Sequence, residues 1–184
     1  MAHLPDTTRF AELAATSRLV PVYRRIFADA LTPLSAFARL DEGAAACLFE
    51  SVVGGEKVGR YSFLAADPFL RIEARGSAVK VTSAGSTEAF ESDDPLAELE
   101  RRVEAYRPAR LPELPPFTSG AIGYAAYDAI RYVEDLPNEP PDDVGLPDLD
   151  FAFYDRLVVF DNATKTIDVV VLARLEDGSR SAVQ

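Results

Sequence analysis

Tryptophan is absent from this sequence, and cysteine, histidine and methionine occur once each. A single cysteine, Cys47, excludes an internal disulfide. It sits in the apolar run Ala44-Ala45-Ala46-Cys47-Leu48-Phe49 and reads as a small buried hydrophobe in a reducing compartment. The one histidine, His3, lies close to the N-terminus. One cysteine and one histidine cannot assemble a Cys/His zinc cluster, and a Ser-His-Asp or Cys-His site would depend wholly on His3. Positive charge is also short: 19 Lys and Arg stand against 30 Asp and Glu, a formal net charge of -11. With no basic stripe, such a chain repels phosphate backbones and anionic bilayers, so nucleic acids and membrane surfaces are not expected partners. The longest aliphatic run, Val169 to Ala173, is far shorter than a membrane span. Met1-Ala2-His3-Leu4-Pro5 has neither the basic nor the apolar region of a signal peptide, and the expected location is the cytoplasm.

What is present is ordinary for a folded protein. The 184 residues are 48% hydrophobic and 27% charged, enough for one domain with a sizeable core. Phe10, Leu13 and Ala14 have helical spacing behind a cap at Asp6 or Thr7. Leu19 to Phe27 reads as a strand, and Thr32-Pro33 opens a short helix with Leu34, Phe37, Ala38 and Leu40 on its apolar face. Residues 45 to 50 and Arg60 to Ala65 read as strands. Phe69 to Arg75 and Ala78 to Thr82 form the clearest hairpin. Gly76-Ser77 is its two-residue turn, which pairs Glu73 with Lys80 on one face and Ile72 with Val81 and Ala74 with Val79 on the other. Asp94-Pro95 opens a helix through Tyr106, and Arg107 to Phe117 is proline-rich and irregular. Gly120-Ala121-Ile122-Gly123-Tyr124, a glycine-spaced strand, leads into a helix with Tyr127, Ile130 and Arg131. Residues 136 to 148 form a solvated loop, and Leu157 to Phe160 with Ile167 to Leu172 form a last hairpin. An apolar strand such as Val169 to Leu172 is open to unwanted pairing if it lies at a sheet edge. Antiparallel hairpins interleaved with helices give an α+β fold.

The richest polar cluster is Glu50-Ser51 at a strand end, followed by Gly59-Arg60-Tyr61-Ser62. A zwitterionic amino acid needs such groups: Glu for its ammonium, Arg or Ser for its carboxylate. A salt bridge between Glu50 and Arg60 along neighbouring strands would use the same residues without a ligand. Gly54 to Gly59 lacks the spacing of a phosphate loop and reads as a turn. Asp128, Arg131 and Glu134 read as surface ion pairing, and Asp142-Asp143 as solvated acids in a proline-flanked loop rather than a metal site.

Taken in order, a longer set of motifs resembles the amino-terminal domain of anthranilate synthase component I. These motifs are Pro21-Val22-Tyr23, Leu31-Thr32-Pro33-Leu34-Ser35-Ala36-Phe37, Phe49-Glu50-Ser51, Gly59-Arg60-Tyr61-Ser62-Phe63 and Asp67-Pro68. Further on come Pro116-Phe117, Gly120 to Tyr124, Tyr127-Asp128, Arg131, Glu134, Leu136-Pro137, Gly145 to Asp148 and Val159-Phe160-Asp161. Two positions depart from the family pattern: Phe49 replaces the second leucine of Leu-Leu-Glu-Ser, and Ser119 replaces a glycine before Gly120.

The resemblance implies a fold that is an antiparallel β-sheet, half of a β-sandwich, with flanking helices. It implies that residues 1–175 are the amino-terminal domain and 176–184 a linker toward a chorismate-binding catalytic domain outside this chain. The family converts chorismate and ammonia, or glutamine, to anthranilate and pyruvate, a lyase reaction at the first committed step of tryptophan biosynthesis. Magnesium is bound by carboxylates of the catalytic domain, and a glutamine amidotransferase, component II, supplies the ammonia. No catalytic or metal-binding residue is expected here, so the chain alone should be inactive. What the resemblance assigns to it is part of the L-tryptophan feedback site: Ser51, Glu50, Arg60 and Tyr61. Two alternatives stay open: aminodeoxychorismate synthase component I of the folate pathway, and a stand-alone amino-acid-binding or assembly module.

Overall fold

The structure is a computed structural model, and it describes residues 3–28, 30–40, 45–50, 59–138 and 141–175. In chain order the elements are α1 (Thr7–Ala14), β1 (Leu19–Phe27), α2 (Pro33–Leu40), β2 (Ala46–Phe49), β3 (Tyr61–Ala66), β4 (Leu70–Arg75), β5 (Ala78–Ser83) and β6 (Ser86–Glu91). They continue with α3 (Pro95–Ala105), β7 (Ala121–Ala125), a 3-10 helix (Tyr127–Tyr132), β8 (Leu149–Phe153), β9 (Arg156–Asp161) and β10 (Thr166–Arg174). The α+β expectation holds. Where one sheet was expected, the strands sort into two antiparallel sheets of five, one in each of two compact units.

The first unit takes the chain up to Pro68, then Tyr106–Gly120, and resumes at Tyr154. Its sheet runs β1-β10-β9-β3-β2. Asp6 caps α1 by accepting the Arg9 amide at 2.9 Å, and Thr32 caps α2 by accepting the Ser35 amide at 3.2 Å. Helix α2 lays its apolar stripe on one face, where Ala36, Leu64, Phe160 and Ile167 form a buried cluster joined by Ile26, Phe37 and Leu48. Burying an aliphatic side chain as completely as Leu64 contributes about 1.5–3 kcal/mol. Strand alternation turns Leu157, Val159, Val170 and Leu172 to the opposite face, and all four are buried. Asp168 is buried there too, which its pairing makes tolerable: Arg25 donates Nε to Oδ1 at 2.7 Å and Nη2 to Oδ2 at 2.9 Å. Val169 to Leu172 is not at an edge. β10 is hydrogen-bonded on both sides, and β1 and β2 are the edge strands. An edge position suits β1, because Pro21 cannot donate to a second neighbour.

The second unit comprises Phe69–Ala105 and Ala121–Phe153, with its sheet in the order β6-β5-β4-β8-β7. The β4–β5 hairpin has the register read from the sequence, Glu73 opposite Lys80 and Ile72 opposite Val81, around Gly76 at φ 52. Two strands were missed. β6 is polar and almost wholly exposed, so no apolar alternation marks it. β8 does alternate, but it is only five residues long and directly follows the acidic proline-rich loop. Yet β8 is interior, paired with both β4 and β7. Asp94 caps α3 by accepting the Ala97 amide at 2.9 Å. The expected helix at Tyr127 forms as a single 3-10 stretch of six residues. In that geometry residues three apart eclipse one another, and Arg131 reaches Asp128 at 2.9 Å.

Candidate functional site

In the first unit β3 brings the sequence candidates together at one end of the sheet. Its Tyr61 and Phe63 point to the same face by strand alternation. Their rings lie 6.0 Å apart, and Phe63 meets Phe117 edge-on at 5.6 Å. On the neighbouring strand Phe49 pairs with Phe63 and is 53% exposed. The antiparallel register then places Glu50, exposed at the end of β2, across from Ser62. Tyr61, Phe63, Phe117 and Phe49 thus line the face next to Arg60, while Glu50, opposite Ser62, follows at the end of the neighbouring strand on the register of the other face. Ser51, the other member of the Glu-Ser pair, lies outside the described residues, as do Gly54 to Val58.

Arg60 does not bridge to Glu50. Its carboxylate is Asp161, one residue past the last apolar position of β9. Arg60 donates Nη2 to Oδ2 at 2.7 Å and Nε to Oδ1 at 3.1 Å. The guanidinium carbon also stands 4.9 Å from the Tyr61 ring centroid, a cation–π contact. The sheet accounts for the arrangement: Tyr61 is the register partner of Asp161, and the Asn162 amide donates to Arg60 O at 2.8 Å. Asp161 also accepts the amides of Ala163 and Thr164, at 3.0 and 3.2 Å, and so caps the β9–β10 turn. Burial pushes its carboxyl up, but the hydrogen bonds from Arg60, Thr164 and Ala163 outweigh that and hold it at about 2. The same pairing raises the Arg60 guanidinium above its ordinary range. Sequence reading missed Asp161 as the partner. Its only local signal was its place at a turn, and 101 residues separate it from Arg60.

The remaining candidates have structural employment. Asp142 accepts the amides of Val144 and Gly145, at 3.2 and 2.8 Å, and is a turn cap whose carboxyl the Gly145 bond lowers. The Cys47 thiol is raised by burial. His3 lies 3.1 Å from Arg24 through its ring Nε2. Among the described residues no three His, Cys, Asp or Glu side chains converge as candidate metal ligands. Among the described residues no helix is long and apolar enough to cross a membrane.

Comparison with known proteins now decides the family. Residues 45–183 match the family of chorismate binding enzymes. The chain belongs to that family. Among its relatives, the anthranilate synthase component 1 of Acetivibrio thermocellus is 36% identical over 159 residues, covering 86% of this chain and 32% of that protein. The chloroplastic anthranilate synthase alpha subunit 2 of Arabidopsis thaliana is 38% identical over 183 residues, covering 92% of this chain and 30% of that one. The crystal structure of anthranilate synthase component I from Streptococcus pneumoniae superposes with a TM-score of 0.55 at 29% identity, covering 87% of this chain and 34% of that one. The resemblance read from the motifs is thus met by sequence and by fold. The chain spans about a third of the length of these family members.

Proposed function

We propose that this chain is the amino-terminal regulatory region of an anthranilate synthase large subunit and carries part of its L-tryptophan feedback site. The observation that carries the proposal is the strand end itself. An Arg60 guanidinium is fixed over the Tyr61 ring beside Phe63 and Phe117, and Glu50, next after the end of the adjoining strand, is the carboxylate this reading assigns to the ammonium. A zwitterion with a flat apolar side chain requires those three elements: a cation, an anion and an aromatic wall. Likeness to anthranilate synthases over most of the chain supports the same reading.

In this proposal residues 1–175 form the regulatory domain and 176–184 lead toward a chorismate-binding domain that performs the lyase chemistry with magnesium. A glutamine amidotransferase supplies the ammonia, and the whole works in the cytoplasm. Tryptophan on the regulatory domain favours a less active arrangement and by linkage weakens chorismate binding. The test uses the full-length enzyme carrying Ser51→Phe. Inhibition by L-tryptophan should weaken at least tenfold while uninhibited turnover stays near the parent's. An unchanged inhibition curve would remove Ser51 from the site.

A further inference from the structure

We propose that Asp161 is the positioning residue of the effector site: it holds Arg60 so that the outer edge of the guanidinium receives the carboxylate of an amino-acid ligand. This rests on the reading of this strand end as an amino-acid site.

A guanidinium has five N–H groups in a rigid plane and two edges able to grip a carboxylate in parallel bonds. Asp161 occupies the edge that carries Nε, through Nε–Oδ1 at 3.1 Å, Nε–Oδ2 at 3.2 Å and Nη2–Oδ2 at 2.7 Å. The other edge, formed by Nη1 and the second hydrogen of Nη2, has no hydrogen-bond partner among the described residues. The Arg60 side chain as a whole is 40% exposed, whereas Asp161 is only 12% exposed. The plane is fixed twice over, by the carboxylate on its inner edge and by the Tyr61 ring at 4.9 Å. Asp161 is itself fixed by the Ala163 and Thr164 amides, so the restraint passes from the β9–β10 turn to the guanidinium. A carboxylate docked on the outer edge would leave its apolar substituent beside Tyr61 and Phe63.

Charge and positioning predict opposite outcomes. Asp161 is an anion, so by Coulomb attraction alone its removal should tighten binding of another anion. If Asp161 instead pre-orders Arg60, its removal returns rotamer freedom that the ligand must then freeze out, and binding weakens.

The experiment measures L-tryptophan and tryptamine binding to the full-length protein by isothermal titration calorimetry. Circular dichroism checks each variant's fold. Asp161→Asn is expected to weaken L-tryptophan by about 3- to 10-fold, the cost of one re-mobilised long side chain. Tryptamine, which has no carboxylate, should keep its parent affinity. In the Arg60→Met background the Asp161→Asn change should add no further loss, because the two residues act through one interaction. L-tryptophan binding that is unchanged or tighter in Asp161→Asn overturns the proposal, and so does an equal loss for both ligands. If the parent binds L-tryptophan but Arg60→Met binds it equally well, Arg60 is not the carboxylate receptor and the proposal falls while the site stands. A parent that fails to bind L-tryptophan removes the amino-acid reading and the positioning role together.

Discussion

Gly123 and Phe151 face each other across β7 and β8 so closely that a β-carbon on the glycine would come within 2.6 Å of the phenylalanine Cα. No real side chain tolerates that approach to backbone. Gly123→Ala should therefore cost about 1–3 kcal/mol, the range for forcing extra volume into a packed site. Urea unfolding would show a lower midpoint, and amide exchange should quicken in Ala121–Ala125 and Leu149–Phe153 ahead of β1 and β10. Unchanged exchange in both strands would mean that the sheet shifts to admit the methyl group.

Tyr132 ties the 3-10 helix to the hairpin. Its hydroxyl donates to Asp148 Oδ2 at 2.9 Å, and the same oxygen accepts the Gly76 amide at 2.8 Å. Burial first, and the Asp148 contact second, raise the phenol above its ordinary range. Tyr132→Phe should lose about 1–2 kcal/mol, a hydrogen bond to a charged acceptor at a partly exposed site. The urea midpoint should fall with the slope unchanged.

Acid should weaken the Arg60–Asp161 link in a defined window. The folded Asp161 carboxyl sits at about 2, below the roughly 3.9 of an unfolded aspartate. A depressed folded value adds stability above the unfolded one, and that stability is lost as pH falls through the folded one. The stability gap between parent and Asp161→Asn should therefore be full at neutral pH and shrink between about pH 4 and pH 2. Denaturant midpoints measured across that range check the sign. A gap that widens on acidification would contradict it.

The 184-residue chain should not make anthranilate. With chorismate, magnesium and ammonium, no anthranilate fluorescence should develop above the uncatalysed background. Turnover by the purified chain would show that its own residues hold the chemistry.

What the sequence determined by itself was local. Asp6, Thr32 and Asp94 each announced a helix start, because a cap needs only the next three amides. Gly76-Ser77 set the β4–β5 register, because a two-residue turn leaves the strands no other pairing that keeps the apolar face together. Glu50 and Arg60 stood out by residue type alone. Tertiary structure decided the rest. β8 became an interior strand through pairing with β4 and β7, segments well removed from it in the chain, and β6 formed because β5 offered an open edge rather than because its own residues are apolar. The partner of Arg60 was settled in the same way. Glu50 is nearer in sequence and equally charged, but the β3–β9 register sets Asp161 beside the guanidinium. Registers between strands a hundred residues apart depend on the whole sheet's burial, and no local pattern of residues encodes that.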